Sequence, residues 1–326
     1  MSNRGNNHQL KEKLNITFGV GLFHAHYGSF KEALKDCLYL EELGYDSIWL
    51  GDHFYNPIHP KEPWFETWAL LAALATQTDK IRLGTLVTTF IYRNPALVAK
   101  QALTVDHISE GRLELGLGAG VYKEDHSMSG TDYWKAQERI LRFKEALQIV
   151  DSLLRNEITT IKGHFYWVQD AVCNPAPIQS PRPPITIAAL GNKMMKIVAE
   201  YADSWNTFGW NTRNLQTNTP PTAKEAFEDI KKKNEILNTH CKTLGRNPLT
   251  IKRSLLVGWT PDAPVDSLDS FYDFIVKYHS IGITEFIFDW LKEEHREKYE
   301  KSLITKCLGT DTLKDFAQKV IPKFSE

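Results

Sequence analysis

Residues 80–126 read KIRLGTLVTTFIYRNPALVAKQALTVDHISEGRLELGLGAGVYKEDH. An apolar run from Ile81 to Val87 is followed by Asn94-Pro95. That pair opens a helix, because proline at the first helical position has no needed N–H to lose. The helix stops at Ser109-Glu110-Gly111, and a short strand from Leu113 to Leu117 runs into Gly116-Leu117-Gly118-Ala119-Gly120. Strand, helix, strand is a βαβ unit, which makes the two strands parallel and the crossover right-handed. Glycines at its exit let the backbone approach a ligand or adopt a positive φ.

The same rhythm extends in both directions. On the N-terminal side, strands at Ile16–Leu22 and Asp46–Leu50 flank a helix that Ser29 and Glu32 open as a capping box and Gly44 ends. EPWFETWALLAALATQT supplies the next helix. On the C-terminal side come a long amphipathic helix from Lys135 to Leu154 and strands at Ile185–Ala189, Asp203–Thr207, Leu249–Val257 and Thr284–Phe288. Arg139, Arg142 and Lys144 on that helix are read as facing water or a phosphate. Residues 155–184 read as an insertion, with a small hairpin (Thr159–Ile161 against His164–Trp167) and then PAPIQSPRPP, which proline keeps out of helix. Residues 208–222 form a second polar loop. Parallel strands alternating with helices over eight repeats predict a single α/β domain, a (β/α)8 TIM barrel spanning 1–326, with an open doubly wound sheet as the alternative. Residues 1–14 are polar, lack an apolar signal core and read as a flexible lead-in.

Composition narrows the function classes. The chain has 326 residues, 42% apolar and 24% charged, which suits a globular protein with a large core. A formal net charge of −1 gives no overall field toward nucleic acid or an anionic membrane. No apolar run approaches the roughly 20 residues of a spanning helix. Cys37, Cys173, Cys241 and Cys307 are far apart with no C-x-x-C pair, as expected of free thiols in a cytoplasmic protein.

In a barrel of this kind the site lies where the strands end. The first strand delivers Phe23, His24 and His26, and the second Asp52 and His53. The third delivers Leu86, Val87 and Thr88 with Tyr92 beyond, and the fourth Ala119, Gly120 and Val121. The fifth ends in Leu190-Gly191-Asn192, which opens a helix and offers N–H groups to an anion. Trp64, Trp134 and Trp210 lie in adjoining loops. Such a rim suits a flat, partly polar ligand in an apolar slot. Each element has a packing reading too: Asp52-His53 as a structural pair, the glycines as a tight turn, the tryptophans as wall. His24-x-His26 with Asp289 resembles the metal site of amidohydrolase barrels. Those enzymes also need histidines at the ends of strands five and six, where this chain has ITIAAL and DSWNTF, so no metal is expected.

The blocks YLEELGYDSIWLGDHF, EPWFETWALLAALATQTDKIRLGTLVTTFIYRNPALVAKQALTVDHISEGRLELGLGAG and PITIAALGNKMMKIVAEYADSWN together resemble the bacterial luciferase-like flavin-dependent oxidoreductases. The resemblance covers most of the chain to about Trp210. It implies a (β/α)8 barrel with FMN, or the deazaflavin coenzyme F-420, across its C-terminal mouth. The ring would rest on a non-prolyl cis peptide near Leu86-Val87, with Thr88, Ala119, Gly120 and Val121 alongside and the phosphate at Leu190, Gly191 and Asn192. Asp52 and His53 would form the acid-histidine pair, with His53 or His24 supplying a proton. Phe23, His26, Trp64, Tyr92, Trp134 and Trp210 would hold a small-molecule substrate. The expected activity is monooxygenation by reduced FMN and O2, served by a flavin reductase; hydride transfer with the deazaflavin is the alternative. A non-catalytic flavin-binding subunit is a third reading, against which the retained Asp52-His53 pair argues. One departure stands out. The deazaflavin-dependent sugar-phosphate dehydrogenases of the family carry a glutamate after the strand-four glycine, and here that position is Val121. A homodimer is the expected assembly.

Overall fold

A computed structural model describes residues 15–23, 27–57, 60–211, 214, 217, 219–264, 267–299 and 306–325. The expected lead-in, His24 and His26 lie outside these residues.

The elements follow the βα rhythm. β1 (Thr17–Gly21), α1 (Phe30–Glu42), β2 (Ser47–Leu50) and α2 (Thr67–Ala75) come first. The quoted stretch then gives β3 (Arg82–Thr85), β4 (Thr88–Thr89), α3 (Pro95–Ile108) and β5 (Leu113–Gly118). α4 (Lys123–Met128), α5 (Ala136–Arg155) and the hairpin β6 (Thr159–Lys162) and β7 (Trp167–Ala171) follow. The chain continues through β8 (Ile185–Ala188), α6 (Asn192–Tyr201), β9 (Ser204–Thr207), α7 (Ala223–Thr243), β10 (Lys252–Leu256), α8 (Leu268–His279) and β11 (Glu285–Asp289). It ends with α9 (Glu293–Tyr299), α10 (Thr310–Lys319) and α11 (Pro322–Ser325).

The barrel strands are all parallel, ordered β3-β2-β1-β11-β10-β9-β8-β5, and β3 pairs with β5 to close the ring. β4 continues the third strand beyond a break and pairs with β5 through Thr88 and Thr89. Closure settles the choice against an open sheet. The sequence signals act as read. Asn94 accepts the Ala96 N–H at 2.8 Å with Pro95 behind it, and α3 terminates where Glu110 and Gly111 both take positive φ. Ser29 caps α1 by accepting the Glu32 N–H, while Glu32 reaches back one residue further than a standard box, to the Gly28 N–H.

Two strands differ from expectation. β10 begins at Lys252 rather than Leu249, because Asn247 and Pro248 set a 3-10 turn in which the Asn247 side chain accepts the Leu249 N–H at 3.0 Å. In the hairpin the second strand begins only at Trp167. Gly163 to Tyr166 form the turn instead, held by the Glu145 carboxylate, which accepts the N–H groups of His164, Phe165 and Tyr166.

Alternation along the strands divides the core in two. Outward residues such as Ile48, Leu83, Leu115 and Phe286 pack against the helices in one large cluster. Inward residues make a polar floor and an apolar upper layer. At the N-terminal end Arg82 Nε donates to Glu114 at 2.5 Å, and Lys252 lies 3.6 Å from Glu285. At the C-terminal end Trp49, Leu256 and Ile287 form a separate cluster with Phe23, Leu86, Phe208 and Trp259 around it. That upper layer is the bed of the mouth.

Candidate active site

The third strand breaks at a cis peptide between Leu86 and Val87, and its two halves are fastened to both neighbours. Leu86 N–H donates to the Leu50 carbonyl at 2.8 Å on β2, and the Thr85 hydroxyl donates to the Gly116 carbonyl at 2.7 Å on β5. A Cβ on Gly116 would stand 1.7 Å from the Thr85 carbonyl oxygen, so only glycine allows this approach. Gly120 has φ +68°, and a Cβ there would press on Ile91 and Thr89. The glycine-rich exit therefore serves the backbone packing of the broken strand. Thr88 beyond the break is buried and accepts the Trp68 indole N–H at 3.1 Å.

Asp52 and His53, adjacent on the exit of β2, point in opposite directions. Asp52 is 1% exposed and takes Arg93 Nη1 at 2.7 Å, while the Tyr92 hydroxyl donates to its carbonyl at 2.9 Å. Burial pushes the Asp52 carboxyl up, against the pull of Arg93. Burial also raises the Tyr92 phenol, and the Asp52 charge adds to it. Tyr92 is thereby committed to a loop-to-loop tie between the second and third strand exits.

His53 lies at the second strand exit and its carboxylate partner is Asp125, from the first turn of α4. His53 Nδ1 and Asp125 Oδ2 are 2.8 Å apart, and Asp125 Oδ1 accepts the Phe54 N–H at 2.9 Å. The Asp125 side chain is 2% exposed and that of His53 21%. The imidazole packs edge-on to Tyr122 at 4.8 Å with Trp64 6.2 Å away. Nε2 has no hydrogen-bond partner among the described residues and is the nitrogen left for a ligand. Neighbouring phenols are pushed away from ionisation: burial, then Glu124, pushes Tyr55 up to about 12, and burial, then Asp125, raises Tyr122. Asp125 was not singled out from the sequence. Its signal was its place three residues after Tyr122 on one face of a single turn, behind the glycine exit.

The other residues singled out from sequence divide between mouth and wall. Phe23 and Leu86 border the inner apolar cluster, and Ala119 and Gly120 follow β5. Val121 is exposed. Trp64 lies over Gly51 at the second exit. At the β8 exit a Cβ on Gly191 would meet nothing within 4 Å, so the start of α6 has open space before it. The Asn192 side-chain oxygen meets His240 Nε2 at 2.9 Å, and the backbone N–H groups opening α6 are donors there. Trp210 is buried, donating to the Trp259 carbonyl at 2.9 Å, and Trp134 is buried between His126 and Arg142. Both rings are committed to wall packing. The cations of α5 are likewise engaged: Arg142 stacks at 4.2 Å on both Trp134 and Phe165, Lys144 pairs with Glu200 at 2.9 Å, and Arg139 bonds the Trp134 carbonyl. Among the described residues no three His, Cys, Asp or Glu side chains are placed to hold a metal. No helix there is long and apolar enough to cross a membrane.

Comparison with known proteins sets this geometry in context. The F420-dependent glucose-6-phosphate dehydrogenase of Amycolatopsis mediterranei (strain U-32) is 31% identical over 196 residues, which is 59% of this chain and 58% of that protein. The phthiodiolone/phenolphthiodiolone dimycocerosates ketoreductase of Mycobacterium tuberculosis (strain ATCC 25618 / H37Rv) is 26% identical over 266 residues, covering 74% of this chain and 64% of the relative. The chain thus spans less than two thirds of the length of these curated relatives. Among solved structures, an F420-dependent secondary alcohol dehydrogenase in complex with an F420-acetone adduct superposes with a TM-score of 0.72 at 19% identity, covering 95% of this chain and 99% of that one. The FMN-bound oxygenating constituent of 3,6-diketocamphane monooxygenase from Pseudomonas putida gives 0.60 at 17%, covering 88% and 75%. At those identities the superpositions establish the barrel. The family model of the luciferase-like monooxygenases matches residues 14–297, and the chain belongs to that family.

Proposed function

We propose that the chain is an oxidoreductase that uses a deazaflavin coenzyme of the F420 type to interconvert a small alcohol and its carbonyl, with His53 handling the hydroxyl proton. The observation that carries this reading is His53 itself, a part-exposed imidazole at the second strand exit with Nδ1 held by a buried carboxylate and Tyr122 and Trp64 beside the ring. The named curated relatives, an F420-dependent dehydrogenase and a ketoreductase, support it.

The residues present suit a flat tricyclic ring. Leu86, Phe208 and Trp259 on the inner cluster offer it an apolar bed, and Gly120 adds no side chain beside it. The open space at Gly191 and the first N–H groups of α6 would receive its phosphate. A bound deazaflavin supplies two-electron hydride chemistry; the chain's own groups orient, exclude water and move the proton. When an alcohol is oxidised, its hydroxyl proton passes to His53 Nε2 and leaves through the part of the ring that meets solvent. A homodimer is the assembly we propose.

A second reading, monooxygenation with reduced FMN fed by a flavin reductase, is favoured by one observation. Val121 is exposed at the β5 exit, where a carboxylate stands in the sugar-phosphate dehydrogenases that the sequence resembles. Equilibrium titration with F420 and with FMN separates the two. It is followed by F420 reduction with 2-propanol, cyclohexanol and glucose 6-phosphate, and by oxygen uptake with reduced FMN. F420 binding with reduction by an alcohol is the expected result. FMN binding with substrate-dependent oxygen uptake and no F420 binding would reverse the choice.

A further inference from the structure

We propose that Asp125 is a positioning residue: it holds His53 in the tautomer that carries its proton on Nδ1, so that neutral Nε2 can accept the proton of a substrate hydroxyl. The inference rests on the acid–base role proposed for His53. Asp125 has two oxygens and each has one neighbour, the Phe54 N–H at 2.9 Å on Oδ1 and His53 Nδ1 at 2.8 Å on Oδ2. A carboxylate only accepts hydrogen bonds, so the ring nitrogen facing it must be the donor. A backbone N–H cannot change its role, and the Asp125 carboxylate is buried. The contact also joins residues 72 apart, tying the second strand exit to the short helix after the fourth. His53 can then neither swing away nor flip its ring without leaving a buried carboxylate oxygen unpaired.

In the oxidation the alcohol O–H bond breaks and its proton goes to Nε2. The carbinol C–H bond breaks and C=O forms; a bound deazaflavin would supply the two-electron acceptor for the hydride that leaves. Asp125 neither gains nor loses a proton. An imidazole with its proton on Nε2 could not accept the hydroxyl proton in this step.

Asp125→Asn tests the idea without changing volume. The asparagine has one acceptor and one donor for two N–H groups. The Phe54 N–H keeps the carbonyl oxygen, so the amide NH2 faces Nδ1 and drives the proton to Nε2. Nitrogen-15 NMR of His53 near pH 9, well above the ordinary imidazole pKa of about 6.5, reads the tautomer directly. Nδ1–H is expected in the unsubstituted protein, Nε2–H in D125N and a mixture in D125A, which also serves if D125N folds poorly. With F420 and the best alcohol of the panel, kcat should fall about 10²–10⁴-fold in D125N, with F420 affinity and the KM for alcohol within threefold. An unchanged tautomer in both variants, or a changed tautomer with kcat intact, overturns the role of Asp125. Full turnover in His53→Ala instead overturns the acid–base reading on which the role rests, and the NMR result then stands by itself as a structural fact.

Discussion

Replacing Asp52 should damage the fold far more than the chemistry. Its carboxylate is 1% exposed and the Arg93 side chain it faces is 7% exposed, so Asp52→Ala leaves a buried guanidinium short of a partner. Breaking a buried pair from one side costs about 3–5 kcal/mol. Arg93 keeps Glu66 as a second, half-exposed carboxylate, and Tyr92 keeps the Asp52 main-chain oxygen, so the lower end applies: about 3 kcal/mol. For a chain of 326 residues, with about 2.1 cal/mol/K of unfolding entropy per residue, that lowers Tm by roughly 4–5 °C. Asp52→Asn retains the volume and an acceptor oxygen and should lose only about 1–2 kcal/mol. Urea unfolding followed by tryptophan fluorescence gives the free energies, and turnover per folded molecule gives the chemistry. The reasoning is refuted if D52A stays within 1 kcal/mol of the parent. It is equally refuted if D52N keeps its stability while turnover disappears, since Asp52 would then act on substrate.

Three other outcomes follow from the same geometry. Gly116→Ala forces a methyl to 1.7 Å from a backbone oxygen that cannot swing away, so a loss of at least about 2–3 kcal/mol is expected in chemical denaturation. Gly191→Ala meets open space, so Tm should not move; if the coenzyme phosphate sits there, F420 affinity in a fluorescence titration should fall severalfold. Glu41 accepts the N–H groups of Asp79, Lys80 and Ile81 at 2.7–2.9 Å. Burial works against its charge, but these bonds outweigh it and hold the carboxyl below its ordinary value. Its contribution is thus present above the unfolded carboxyl value of about 4.3 and is lost as pH falls through the lower folded value. The stability gap between the parent and Glu41→Gln should be open at pH 7 and should close as pH falls below the ordinary carboxyl range.

The barrel was legible because its signals are local and repeated. Asn94-Pro95, Ser109-Glu110-Gly111 and the strand exits each act within a few residues of where they stand. The site was legible only in part. Adjacency suggested an Asp52–His53 pair, yet neighbouring residues on an extended segment project to opposite sides, and here one goes to Arg93 and the other to Asp125. Asp125 lies in a single helical turn too short for a periodic pattern, and its partnership spans two strand exits 72 residues apart, with the third strand between them. Trp134 and Trp210 show the same limit. An indole beside a strand exit reads alike in sequence whether it packs a wall or touches a ligand, and these two are buried in the wall.

Ring closure has a consequence for biosynthesis. β1 finds β2 as its neighbour early, but its other side pairs with β11 in parallel register from Thr17–Glu285 to Gly21–Asp289. At about 5–20 residues per second, that strand leaves the ribosome on the order of tens of seconds after β1. Throughout that interval β1 presents a bare row of amides and carbonyls flanked by Phe18 and Val20, an invitation to pair with another nascent chain. Truncations that remove β11 should therefore accumulate as aggregates or chaperone clients.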